Sequence, residues 1–260
     1  LAPAVRPDSE RPRLSIVIPA FNESARLAST LAQVLSHVDA HYPRCELVLV
    51  DDGSTDETWD IIARAESEDD RVRGVRHPGN LGKGAAVRNG LRASRGDVVV
   101  FFDADLPFPL ENIAAVVASI EGGADLAIGA RDLDPERESQ ENPLLRQLSS
   151  FAFNWTVERF LSLGINDTQC GFKAFRGPVA RQLAAFQTID GFGFDVELLY
   201  VARRWGLTID RIPLHHVHQE GSSVRVVRDG LRMLNDLIQT RRNARQGKYP
   251  EQMPDATAAK

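Results

Sequence analysis

The chain has 260 residues with an ordinary balance of apolar and charged side chains, enough for one large domain or one domain with an elaborated second half. A net charge of -5 gives no reason to expect a nucleic-acid partner. Two cysteines, Cys45 and Cys170, supply neither a disulfide framework nor paired zinc spacing, and they point to a reducing compartment.

Residues 1–13, rich in Pro, Arg and Ala and without periodicity, are expected to form a flexible arm. Over the next stretch short β-rich runs alternate with helical spacing, which builds a mostly parallel sheet flanked by helices, an α/β fold. The expected strands are Leu14–Pro19, Glu46–Val50, Val72–Arg76, Asp97–Phe102 and Asp125–Ile128. The expected helices between them are Ser24–Val38, Asp56–Glu66, Lys83–Ala93 and Leu110–Ile120. Asp132–Pro143 is polar and reads as a loop, and Leu144–Leu163 as a helix carrying Phe151, Phe153, Trp155 and Phe160, which are most simply core. Gly171–Phe175 and Leu207–Leu214 read as strands around a helix near Val196–Trp205. Ser223–Gln246 is the last helix, and residues 247–260 are expected to fray. Residues 14–131 and 132–246 then form the two halves of a single domain.

Open α/β sheets bind ligands beyond the carboxyl ends of their strands, so PAFNE, DDGSTD and DADLP should meet on one edge. Asp103 and Asp105 follow the buried run DVVVFF, and in an extended segment they would point to the same side. Two such carboxylates suit one hard divalent cation, Mg²⁺ or Mn²⁺, that neutralises a diphosphate leaving group; the bland alternative is a solvated acidic turn. In DDGSTD, helix capping accounts for Ser54, Thr55 and Asp56 but not for Asp51 and Asp52, which could accept hydrogen bonds from a base or a ribose. In NLGKGAA, the helix start and Lys83 favour an anion, although taken alone the motif reads first as a helix start with close packing; the spacing fits no Walker loop. Asp195 and Glu197 could serve the site or simply open a helix, and His218 of the His215/His216/His218 group could ligate a metal or be an ordinary exposed histidine.

PAFNE, DDGSTDET, NLGKGAAVRNG, DADLP, GAR and DTQCGFKAF, in this order, resemble family-2 glycosyltransferases from about Leu14 to Arg242. The resemblance is to the branch that transfers glucose or mannose to dolichyl or other polyprenyl phosphates. It implies the GT-A fold, a nucleotide-diphosphate sugar donor and inverting transfer. It matches Pro19, Phe21, Glu23, Val50, Asp52 and Lys83, with Asp103, Ala104 and Asp105, to the donor side. It matches Arg131, Arg146 and Ser150 to the acceptor phosphate, and Asp167 to a catalytic or acceptor-orienting carboxylate. Two positions depart from the pattern: Pro107 stands where the mannosyl branch often carries a metal-assisting glutamine, and the region His218–Val224 lacks the usual basic ends.

The expected reaction is transfer of a hexose, with UDP-glucose favoured as donor and GDP-mannose open, to a polyprenyl phosphate. The alternatives are a transferase acting on a soluble or polysaccharide acceptor and a non-catalytic nucleotide-sugar-binding module. No stretch approaches the roughly 18–20 apolar residues of a membrane span, and the N-terminus lacks signal-peptide order. A cytoplasmic protein is expected, meeting a membrane surface peripherally if at all.

Overall fold

The computed structural model describes residues 11–133, 157–159, 161, 163–165, 167–214 and 226–254, with the side chains of the last helix from residue 232 onward. In chain order the elements are β1 (Leu14–Ala20), α1 (Ser24–His41), β2 (Cys45–Asp51), α2 (Thr58–Glu68), β3 (Val72–Arg76), α3 (Lys83–Ala93), β4 (Val98–Phe102), α4 (Asn112–Glu121) and β5 (Leu126–Ala130). A 3-10 turn, Arg131–Leu133, follows. The second half adds β6 (Phe172–Arg176), α5 (Gly177–Phe186), α6 (Phe194–Arg204), β7 (Ile209–Pro213) and α7 (Val226–Arg245).

The strands form one sheet in the order β3-β2-β1-β4-β6-β5-β7. All neighbours run parallel except β6, which is antiparallel to both β4 and β5. Every residue of β1, β2 and β4 is buried, as expected of strands covered on both faces. Alternation divides their side chains between two cores. Val17, Val48, Val50 and Phe101 face α3, α5 and α6, whereas Ile16, Ile18, Leu47, Leu49 and Phe102 face α1, α2 and α4.

The strands and first four helices fall where the sequence puts them, within a few residues at each end. Helix α5 was not anticipated, although Pro178 in its first turn and the buried Val179, Ala180, Leu183 and Ala184 carry a helical signature. Residue 13 is not part of a free arm: Arg13 N–H donates to the Arg44 carbonyl, and Val98 N–H to the Arg13 carbonyl. Residues 1–10 of the expected arm, 134–143 of the expected loop, most of the expected helix 144–163 and residues 223–225 lie outside the described residues.

The expected frayed tail is also corrected, because residues 247–254 pack on the domain. Tyr249 is almost fully buried, and its hydroxyl donates to Glu197 Oε1 at 2.6 Å. Trp205 Nε1 donates to the Pro250 carbonyl at 3.1 Å. Glu197, buried on α6, also accepts from the N–H groups of Thr188 and Ile189 and from Thr188 Oγ1, so this carboxylate is a structural hub. Tyr249→Ala should lower unfolding free energy by roughly 3–5 kcal/mol, as for other large buried aromatics. Tyr249→Phe, which keeps the ring and removes the hydroxyl with its short bond to Glu197 and its longer contacts to Asn243 and Thr188, should cost only about 1–3 kcal/mol. Urea denaturation reads both, and two variants as stable as wild type would mean that the tail contributes nothing to the core.

Candidate active site at the carboxyl edge of the sheet

The loops after β1, β2 and β4 meet at one edge, as the sequence implies. The first two are joined by side-chain bonds. Asn22, at φ 54°, accepts from Thr55 N–H through Oδ1, and its own N–H donates to Ser54 Oγ. Ser24 N–H donates to Asp56 Oδ2, and Thr58 N–H and Oγ1 donate to Asp56 Oδ1. Phe21 is exposed at this edge, whereas Pro19 and Val50 are buried. Val50 sits in the core beside Val17, so its side chain does not reach a donor as the resemblance implied; it supports Pro19, its register partner.

Asp52 is buried, and both of its carboxylate oxygens are engaged. Oδ1 accepts from Leu81 N–H at 2.9 Å and from His77 Nδ1 at 2.7 Å, and Oδ2 accepts from Gly82 N–H at 2.8 Å. Asn89 Nδ2 donates to His77 Nε2 at 2.7 Å, which assigns the histidine proton to Nδ1. Asp52 therefore fixes the loop leading into α3 and is not free to read a base or ribose, as had been expected of it. Its neighbour Asp51 is fully buried as well. Oδ1 accepts from Ser54 N–H, but Oδ2 is buried without a hydrogen bond among the described residues, 3.2 Å from Arg76 Nε. His77 and Asn89 were missed in the sequence, where the only signal was that His77 follows a strand on this edge.

After β4 the chain turns at once: Leu106 N–H donates to the Asp103 carbonyl, with Leu106 at φ 47°. Asp103 and Asp105 thus lie on a turn and not on an extended run, yet the charge of Asp103 still reaches the Asp105 carboxyl. Thr30 Oγ1 on α1 pins the turn through the Ala104 carbonyl at 2.7 Å. Asp105 Oδ1 is buried with no hydrogen-bond partner among the described residues. Burial, and then the charge of Asp103, push the Asp105 carboxyl above its ordinary range. Glu23 is raised as well, by burial first and then by Asp105 and Asp103 against the opposing Arg26. A cradle of this kind suits a hard cation: three carboxyl groups crowd one edge, and two buried oxygens, Asp105 Oδ1 and Glu23 Oε2, have no hydrogen bond among the described residues, the second lying 2.8 Å from Arg26 Nε. Among the described residues no three potential ligands stand close enough to form a complete protein cage, and His218 lies outside them.

Cations already face these carboxylates. Lys83 Nζ lies 2.6 Å from Asp103 Oδ1. Burial works against the ammonium charge, but Asp103, Asp195 and Asp105 outweigh it and raise the Lys83 pKa. Behind it, the fully buried Lys173 donates to Asp195 Oδ1 and to the Cys170 carbonyl, both at 2.5 Å. Gly171 makes room for Asp103, since a Cβ there would fall 2.4 Å from Asp103 Oδ2.

Arg131 and Asp167, both singled out in the sequence, meet. Asp167, at φ 55°, accepts from the Arg131 main-chain N–H, Nε and Nη2. Burial opposes the guanidinium charge, but the hydrogen bonds and charge of Asp167 prevail and raise the Arg131 pKa. Nη1 makes none of these bonds, and the side chain is 39% exposed. Arg146 and Ser150 lie outside the described residues.

The architecture is shared with solved sugar transferases. A glucosyl-3-phosphoglycerate synthase from Mycobacterium tuberculosis, in complex with UDP, superposes with a TM-score of 0.66 at 21% identity, covering 95% of this chain and 83% of that one. Mannosyl-3-phosphoglycerate synthase from Rubrobacter xylanophilus gives 0.63 at 20% identity, over 94% and 77%. The fold is therefore the GT-A fold of glycosyltransferases.

Residues 15–183 match the family described as glycosyl transferase family 2, and the chain belongs to that family. Glycosyltransferase AglD from Haloferax volcanii is 31% identical over 246 residues, 90% of this chain but only 39% of AglD, so the chain spans well under half of that relative. The dolichyl-phosphate beta-glucosyltransferases of Saccharomyces cerevisiae and Homo sapiens are each 31% identical, over 89% of this chain and 75% of theirs.

The junction between the first two loops is sensitive to acid. Burial opposes the Asp56 carboxylate, but hydrogen bonds from Thr58 and Ser24 win and lower its pKa to about 2. Its folded value is depressed, so its contribution to stability is complete above the ordinary aspartate range and is lost as pH falls toward 2. The difference in unfolding free energy between wild type and Asp56→Asn should hold from neutral pH to about 5 and shrink between roughly pH 4 and 2. A difference independent of pH in acid denaturation series would remove the assignment.

Proposed function

We propose that this chain transfers glucose, with inversion, from UDP-glucose to a polyprenyl phosphate of the dolichyl type, with Mg²⁺ or Mn²⁺ held at Asp103 and Asp105. The observation that carries the reading is the placement of this carboxylate pair, with a buried unpartnered oxygen, beside Lys83 at the start of α3. A diphosphate there meets a helix N-terminus, an ammonium and a metal at once. Relatives named dolichyl-phosphate beta-glucosyltransferase, at 31% identity, support the sugar and the acceptor. A GT-A neighbour crystallised with Mn²⁺ and UDP-glucose, at 22% identity, is in keeping with the donor.

The metal supplies charge neutralisation on the departing diphosphate. The chain's own residues do the rest. The exposed ring of Phe21 is available to the nucleoside. An acceptor phosphate is already anionic near pH 7 and needs positioning more than deprotonation. Asp167, with its oxygens engaged by Arg131, is better suited to aim the guanidinium at that phosphate than to act as a base.

A donor panel of UDP-glucose and GDP-mannose, each offered with a polyprenyl phosphate and with water-soluble acceptors, tests this. Product should form from UDP-glucose and the lipid, vanish in excess EDTA and return with Mn²⁺. Asp105→Asn should lower the rate by about two orders of magnitude or more while the protein stays folded. Full turnover in EDTA would reject the metal, GDP-mannose as the sole donor would reject the sugar, and turnover of soluble acceptors alone would reject the lipid.

A lipid acceptor calls for contact with a membrane surface, and no helix among the described residues is long and apolar enough to cross one. Helix α7 is suited to lie on one. It exposes Leu234 and Ile238, one turn apart, together with Arg242 and Arg245. It also adjoins the site: Gly193 N–H donates to Asp236, and Gln169 Nε2 to Met233 Sδ. Co-sedimentation with anionic vesicles at low salt should fall sharply when Leu234 and Ile238 are both changed to Ser, or when salt is raised. No binding to anionic vesicles even at low salt would count against docking through this helix.

A further inference from the structure

Asp103 and Asp105 are not equivalent. Asp105 Oδ1 is buried and unpartnered, while Asp103 Oδ1 is already neutralised by Lys83 Nζ at 2.6 Å. The backbone under Lys83 has little freedom to move. Asp52 accepts from the N–H groups of Leu81 and Gly82 just before it. On the other side, a Cβ on Gly82 would fall 2.4 Å from the Asp190 carbonyl, and one on Gly84 2.5 Å from the Ile189 carbonyl. The main chain at 82 and 84 is thus seated directly on the 189–190 segment. Asp103 is seated as tightly, because its Oδ2 fills the space that Gly171 leaves. What can move is the four-carbon stem of Lys83, whose side chain is 24% exposed.

From this geometry we infer that Lys83 is a resident counter-cation on Asp103 that a divalent metal displaces, and that the displaced ammonium moves onto the diphosphate arriving with the metal. This rests on the donor site proposed above. A metal bridging Asp103 and Asp105 cannot share Oδ1 with an ammonium without strong like-charge repulsion in a half-buried site. The third acid near Lys83, Asp195, is already bonded to Lys173 and is a poor refuge for a second ammonium. The diphosphate at the start of α3 is the new partner within reach, because Lys83 is the first residue of that helix. Metal alone must therefore compete with Lys83, whereas metal and nucleotide together do not. Each raises the affinity of the other by the same factor.

The test is calorimetric and needs no turnover. Mn²⁺ is titrated into wild type, Lys83→Met and Lys83→Gln, and UDP is then titrated into each at saturating Mn²⁺. Both variants should bind bare Mn²⁺ about tenfold more tightly than wild type and Mn²⁺–UDP about tenfold more weakly, losing most of the coupling. Lys83→Arg should keep the wild-type order. Circular dichroism and thermal melting verify that each variant is folded, and the pair of neutral variants guards against failure of one. If wild type binds Mn²⁺ and UDP but neither variant gains affinity for bare Mn²⁺, the displacement is overturned and the donor site stands. If wild type binds neither ligand, the donor site fails and the displacement fails with it.

Discussion

Both carboxylate oxygens of Asp52 are held by another loop, and the positions of the charged groups at this edge follow from that. The loop 77–82 has no strand or helix of its own, and its amides would be left without partners when the sheet edge closes. One buried carboxylate answers two of them and is in turn braced by His77 and Asn89. Hydrogen bonds to a charged acceptor are worth about 1.5–3 kcal/mol each, more than a neutral cap provides. With the loop fixed, α3 starts where it does, and Lys83 comes to Asp103.

A chain of alternating charge then runs from the turn after β4 through α3 and α6 back to β6: Asp103, Lys83, Asp195, Lys173. The last pair is buried and costs more to desolvate than an exposed pair returns. Its geometry explains why it is tolerated, because Lys173 also bonds the Cys170 carbonyl and lies 5.5 Å from the Phe101 ring centroid. Lys173 stands on the antiparallel strand, which pairs with β4 of the first half, so the buried pair lies where the two halves meet.

Much of this was legible in the residues. Fully buried strands such as LSIVIPA announce a covered parallel sheet, and the strand-end acids announce an edge with chemistry. The failures have physical causes. Asp103 and Asp105 were read as an extended pair, but the chain turns at the strand's end, and alternation does not survive a turn. Asp52 was read as a ligand because a buried like-charged pair has no local explanation, yet its donors lie some 30 residues on, beyond any local pattern. The tail after Gly247 is polar and short of periodicity; what holds it are partners far back in the chain, Glu197 for the Tyr249 hydroxyl, 52 positions earlier, and Trp205 for the Pro250 carbonyl. Short-range spacing carries information about faces and caps, and none about which distant carboxylate a donor will find.

The reversed strand β6 has a consequence for how this molecule can change. Because it runs against β4 and β5, its first residue lies at the edge where those strands end. The stretch between β5 and β6 therefore leaves and re-enters the sheet at the same edge as the loops after β1, β2 and β4. Arg131 at its beginning and Asp167 near its end are bonded to each other, so the excursion is closed by a clasp. The cost of closing such a stretch rises only slowly with its length. Removing either charge would release both ends of the excursion at once, so Arg131 and Asp167 act as a single latch.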